Sequence, residues 1–98
     1  MNQVQQNYIT AQAIYDAAFA SDSMDMTAFE DALELVELRE RDLFVWAREK
    51  ATFFCRAFGK GQCDSDAIKQ LFDTLIAGGH VHAGKKERII SLCLKLKA

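Results

Sequence analysis

Residues 78 to 86 read Gly-Gly-His-Val-His-Ala-Gly-Lys-Lys, and from Gly79 to Lys85 they fit G-x-x-x-x-G-K, the spacing with which backbone amides and a lysine cradle nucleotide phosphates. That chemistry needs a buried strand before the loop, a helix after it and a Ser or Thr beside the lysine to hold magnesium. Here a helical pattern precedes the loop, Lys86 follows Lys85, and only twelve residues remain after Lys86. The stretch is therefore expected to be a helix-to-helix connector, with lysines that attract anions weakly at a helix start.

The same loop carries His80 and His82, types that ligate metals. Structural zinc sites combine two ligand pairs at spacings such as C-x-x-C or H-x-x-x-H. Cys63, Asp64 and Asp66 lie at the far end of the intervening helix, about 20 Å away at 1.5 Å per residue, so no second pair is at hand within one chain. No metal ion and no cofactor are expected, and the histidines are read as solvated. Three cysteines, two histidines and fourteen acids supply nucleophiles and bases, but none sits in a local catalytic signature, so no enzymatic activity is expected. A bundle of this size is also expected to leave little concave surface for a small-molecule pocket.

Charged residues point instead to binding. Glu30, Glu34 and Glu37 share one ridge of a helix at spacings of four and three, where like charges repel by a few tenths of a kcal/mol. The helix dipole rewards acids near an N-terminus and so accounts for Glu30, but it accounts poorly for Glu37. An acidic docking surface is the functional reading. Glu40 joins this set in sequence but projects onto the apolar stripe between Val36 and Phe44. It must meet a cation, sit at a bend, or face solvent between two packed halves, because an unpaired buried carboxylate is costly. A polar register device inside an oligomer interface is the functional counterpart.

The second half of the chain reverses sign. Residues 1 to 42 hold nine acids and two bases, residues 85 to 98 hold five bases and one acid, and with +1 between them the nets of −7 and +4 give −2 overall. Arg48, Lys50 and Arg56 are interleaved with Trp46, Phe53 and Phe54, and Lys85, Lys86 and Arg88 follow near the C-terminus. Basic residues among aromatics can hold nucleic acid through phosphate pairing and base stacking. Aromatics at helical spacing more commonly form a core with lysine and arginine stems lying over them.

These residues are positioned by helices. The chain has no proline, and its five glycines fall at 59, 61, 78, 79 and 84. Val4, Tyr8, Ala11, Tyr15, Ala18 and Phe19 follow helical spacing up to Ala20, where Ser-Asp-Ser ends the run. Thr27-Ala-Phe-Glu30 fits a capping box, so a long helix is predicted from Thr27 to Phe58, about 48 Å in length. Phe29, Leu33, Val36, Leu43, Phe44, Ala47, Ala51, Phe54 and Phe58 form one stripe on it; Leu35, Trp46 and Phe53 form a second about 100° away. So wide an apolar arc marks the central member of a bundle. Asp64-Ser65 should cap a third helix with Ile68, Leu71, Phe72, Leu75 and Ile76 on its apolar face and Gly78 as its stop. From Lys85 to Lys97, alternating Ile90, Leu92, Leu94 and Leu96 would suit a strand, whereas Ile89, Leu92, Cys93 and Leu96 suit a helix. With no other strand to pair with, helix is favoured.

Half the residues are hydrophobic, enough for one ordered core in a single domain spanning residues 1 to 98. The N-terminus lacks a basic start and apolar run, and no apolar stretch reaches the roughly 20 residues of a membrane span, so a cytoplasmic protein with no membrane contact is expected. Cys55, Cys63 and Cys93 are odd in number and irregularly spaced, which favours reduced thiols, with Cys55 and Cys93 in the core. The fold expected is an all-α bundle of about four helices around one long central helix. The function expected is a non-enzymatic protein-binding module, such as a small adaptor or an accessory inhibitor of the phage or mobile-element type, with homodimerisation as one way to bury surplus apolar surface. The partner surface would be Glu30, Glu34, Glu37 and Glu40. The alternative is a nucleic-acid-binding regulator using Arg48, Lys50, Arg56, Lys85, Lys86 and Arg88.

Overall fold

The computed structural model describes residues 2 to 20, 26 to 50, 53 to 54 and 65 to 96. Among them are four helices: α1 (Gln3–Ala20), α2 (Met26–Arg48), α3 (Ser65–Ile76) and α4 (Ala83–Lys95), with no strand. The chain is an all-α bundle, and its C-terminal segment is a helix.

Helix α2 is the central member, packing on α1, α3 and α4. Helices α1 and α2 run in opposite directions as a hairpin: Tyr15 and Phe19 meet Phe29, with Tyr15 and Phe29 ring centroids 5.4 Å apart. Helix α3 covers the C-terminal half of α2, where Phe72 lies 6.1 Å from Phe44 and 4.9 Å from Phe54. Ile89, Cys93 and Leu96 are buried on the α4 side. Val36, Leu43, Phe44, Ala47 and Phe54 of the predicted stripe are buried, and Leu35 and Trp46 of the second stripe pack partly against the core. Three predicted apolar positions depart from expectation: Leu33 of the first stripe is 38% exposed, Phe53 of the second is 39% exposed, and Phe19 of α1 is 72% exposed.

The predicted helix to Phe58 is corrected. Helix α2 ends at Arg48 and a turn follows at Glu49 and Lys50, giving 23 residues and a length of about 35 Å. The Lys50 amide donates to the Ala47 carbonyl at 2.8 Å and the Phe53 amide to the Lys50 carbonyl at 3.0 Å, both three-residue closures tighter than α-helix. Beyond the turn, Phe54 is fully buried with its ring edge against Phe72. Ala, Arg, Glu and Lys around the break are all good helix formers, so tertiary packing overrides propensity here. The parts of the prediction at Ala51, Arg56 and Phe58, and the cap at Asp64, lie outside the described residues.

The capping box at Thr27 is also corrected. Helix α2 starts at Met26, which places Thr27 inside its first turn rather than before it. A capping box does occur at the other end of the hairpin: the Gln5 amide donates to Asn2 Oδ1 and the Asn2 amide donates to Gln5 Oε1, each at 2.9 Å. Gln5 is fully buried and does more. Its Nε2 donates to the carbonyls of Cys93 at 2.8 Å and Leu96 at 2.7 Å, supplying partners for groups that the end of α4 leaves unpaired. One amide side chain thus joins the start of α1 to the end of α4.

Helix α3 ends as predicted. Gly78 adopts φ +77, its amide donates to Leu75 O at 3.2 Å, and the Gly79 amide donates to Thr74 O at 2.8 Å, the paired closure of a Schellman motif. A Cβ on Gly79 would stand 2.6 Å from Thr74 Cγ2 and 3.0 Å from Thr74 O, so the tight approach excludes a side chain there.

Candidate functional site

The chain turn that closes α3 brings residues 78 to 81 over the middle of α2. Together they enclose an open cleft of about 490 Å³. Phe44, Leu75, Ile76 and Val81 supply its apolar wall, and Glu37, Glu40, Arg41, His80 and Lys86 its charged groups. The expectation of little concave surface is corrected: the glycine-rich stretch is a connector between α3 and α4 and also one wall of a cleft. Its depth comes from the Schellman turn, which folds Gly79 back over the last turn of α3 without an intervening side chain.

Glu40 and Lys86 meet at this cleft. Lys86 Nζ lies 2.5 Å from Glu40 Oε1, and the Glu40 side chain is only 15% exposed. Of the three arrangements open to Glu40 from its position in the stripe, the structure shows pairing with a cation. Helix α4 supplies that cation from its first turn, and the Lys86 backbone amide donates to His82 O at 3.0 Å. A carboxylate between Val36 and Phe44 is thereby neutralised where the helices pack, so Glu40 is a packing element between α2 and α4 rather than part of a free acidic ridge. Its charge, after burial, also pushes the Tyr8 hydroxyl up from its ordinary pKa.

Glu30, Glu34 and Glu37 are all exposed, and among the described residues none of them forms an ion pair. They form the ridge that the spacing predicts, and it runs into the cleft at Glu37. Beside it Asp31, Glu34, Leu35 and Leu38 line a shallower recess of about 340 Å³. The ridge is thus flanked by exposed leucines, Leu33 on one side and Leu38 on the other.

The basic residues are distributed differently. Arg48 forms a fork on Asp73 of α3, with Nε 2.7 Å from Oδ1 and Nη2 3.4 Å from Oδ2. Lys50 Nζ stands 5.5 Å from the centre of the Trp46 ring, a cation–π contact. Lys86 is held by Glu40, Lys85 and Arg88 are exposed on α4, and Arg56 lies outside the described residues. The structure therefore gathers no two of Arg48, Lys50 and Lys86 onto a shared free surface: each is engaged with a different partner.

His80 and His82 are exposed. His82 is the N-cap of α4, with Nδ1 accepting from the Gly84 amide at 3.2 Å. Among the described residues no group of three His, Cys, Asp or Glu side chains converges as a metal site would require. Cys93 is wholly buried, and burial pushes its thiol up to about 12, so it behaves as a small apolar core group. Cys55 and Cys63 lie outside the described residues. Among those residues no helix is long and apolar enough to cross a membrane. Compared with known proteins, the chain matches no family model, no curated protein and no solved structure.

Proposed function

We propose that this chain is a non-enzymatic protein-binding module whose partner docks on the first half of α2, along Glu30, Glu34 and Glu37. A small cytoplasmic adaptor, or an accessory inhibitor of the phage or mobile-element type, is the class that fits. The observation that carries this reading is the contrast between two sets of charges. Those that link helices are paired across the bundle, the mostly buried Glu40 with Lys86 and, at the surface, Arg48 with Asp73. The three carboxylates of the ridge are exposed, mutually repulsive and flanked by apolar side chains. Such a surface suits a partner bearing lysine or arginine around an apolar patch, because electrostatic complementarity guides encounter and buried apolar contact supplies affinity.

The test is Glu30→Lys with Glu34→Lys and Glu37→Lys in one chain, followed by quantitative mass spectrometry of proteins and nucleic acids co-purified from the native host. The variant is expected to lose its protein partner while keeping its helical spectrum, since the lost dipole interaction amounts to only about 0.3 to 1 kcal/mol at the helix start. Retention of that partner at full yield would refute the reading. A gain in nucleic-acid binding that falls steeply with salt would support the alternative regulator instead.

A further inference from the structure

The reading just given leaves a second surface unexplained. Where the α1–α2 hairpin closes, Tyr15, Phe19 and Phe29 form a three-ring cluster with centroid separations of 5.4 to 6.4 Å. Far from being sealed, the cluster leaves Phe19 72% exposed and neighbouring Met26 65% exposed. Leu33 lies on the same face of α2 as Phe44, which farther along the helix is buried under α3. Among the described residues, the apolar face that α3 covers at one end of α2 thus continues toward the hairpin end with Leu33 partly exposed and Met26 largely so. Contiguous exposed apolar surface rimmed by charge is the mark of an interaction site.

The charge around this face decides what covers it. Residues 1 to 38 contain seven acids and no lysine or arginine. A second copy meeting this face through a two-fold axis would present the same residues, setting carboxylates against carboxylates. A second copy offering its basic α4 instead would make a head-to-tail contact that does not close into a dimer. Anionic membrane surfaces and nucleic-acid phosphates are repelled for the same reason.

Resting on the protein-binding reading, we infer that the hairpin end of α1 and α2 receives one amphipathic helix of a different protein, with an apolar stripe seated on Phe19, Met26 and Leu33 and basic residues facing Glu30, Glu34 and Glu37. The incoming helix takes the layer that α3 supplies farther along α2, so the bundle is completed in trans. An apolar stripe at i, i+3, i+4 and i+7 matches the groove between two helices.

The probe is a synthetic 18-residue helix with leucines at that spacing and lysines along both flanks, set against a twin with glutamates in place of the lysines, each followed by fluorescence anisotropy. The lysine peptide is expected to bind and the glutamate twin not to. Phe19→Ser with Met26→Ser is expected to weaken binding at least about tenfold, as loss of buried anchors does, with the helical spectrum unchanged because both side chains are exposed. Glu30→Gln with Glu34→Gln and Glu37→Gln should weaken it too and flatten its salt dependence. Equal binding of the two peptides, no binding of either, or indifference to the Phe19 and Met26 changes would overturn the inference, as would a homodimer dissolved by those changes. Loss of the native partner on charge reversal but not on Phe19→Ser with Met26→Ser would leave the protein-binding reading standing and this inference refuted; indifference to both would end both.

Discussion

Phe72→Ala is expected to lower stability by about 3 to 5 kcal/mol, the loss that follows when a buried aromatic leaves a cavity its neighbours cannot fill. Phe72 is 1% exposed and is the ring on which Phe44 and Phe54 converge, so its removal unseats α3 and the chain beyond the α2 turn together. A domain of this length holds only about 5 to 15 kcal/mol in all, and a drop in melting temperature of at least about 12 °C follows from the usual entropy of unfolding. Urea and thermal melts followed by circular dichroism measure it. A change below about 1 kcal/mol would mean that Phe72 does not hold α3 on α2.

Gln5→Leu should have the next largest effect, about 2 to 4 kcal/mol. The substitution keeps bulk but leaves the Cys93 and Leu96 carbonyls without their side-chain donor and removes the reciprocal partner of Asn2. Gln5→Glu should be at least as damaging at neutral pH, because a carboxylate offers no donor to the two carbonyls. Gln3, two residues away and bonded at the surface to Asn7, serves as the control: Gln3→Ala should change stability by no more than about 0.5 kcal/mol. Equal effects at positions 3 and 5 would contradict the placement of Gln5 between the chain's two ends.

The contrast between these residues shows which features were legible from sequence. Helix existence was, because the residues that must be buried recur at the helical period: Phe72 and Leu75, or Ile89, Cys93 and Leu96, stand out without knowledge of what covers them. The caps were not, for a specific reason. Thr27-Ala-Phe-Glu30 and Asn2-Gln-Val-Gln5 carry equivalent patterns, yet Asn2 stands just before α1 and bonds reciprocally with Gln5, whereas Thr27 lies within the first turn of α2. Glu40 was visible as an acid within an apolar stripe, yet its partner Lys86 is 46 positions away and comes from the register in which α4 packs on α2. The end of α2 at Arg48 has no glycine or proline to announce it, and it is accompanied by the burial of Phe54 against Phe72 of a different helix, a tertiary contact. The cleft likewise depends on how the Gly78 turn lies over α2, a relation between elements that periodicity within each element does not encode. Of the candidate surfaces, the ridge of Glu30, Glu34 and Glu37 could be read because three residues on one helix need no tertiary information to share a face. Glu40 and Lys86 were assigned to opposing surfaces, one acidic and one basic, and the fold spends them on each other.

The claim that the first half of α2 is a docking surface is tested most directly by hydrogen exchange on the protein alone and bound to its co-purified partner. The account predicts that binding protects amides from Phe29 to Leu38 and around Tyr15 to Phe19, with α4 from Lys85 to Lys95 unchanged. Protection confined to α4, with Glu30 to Leu38 exchanging as freely as in the unbound chain, would contradict it.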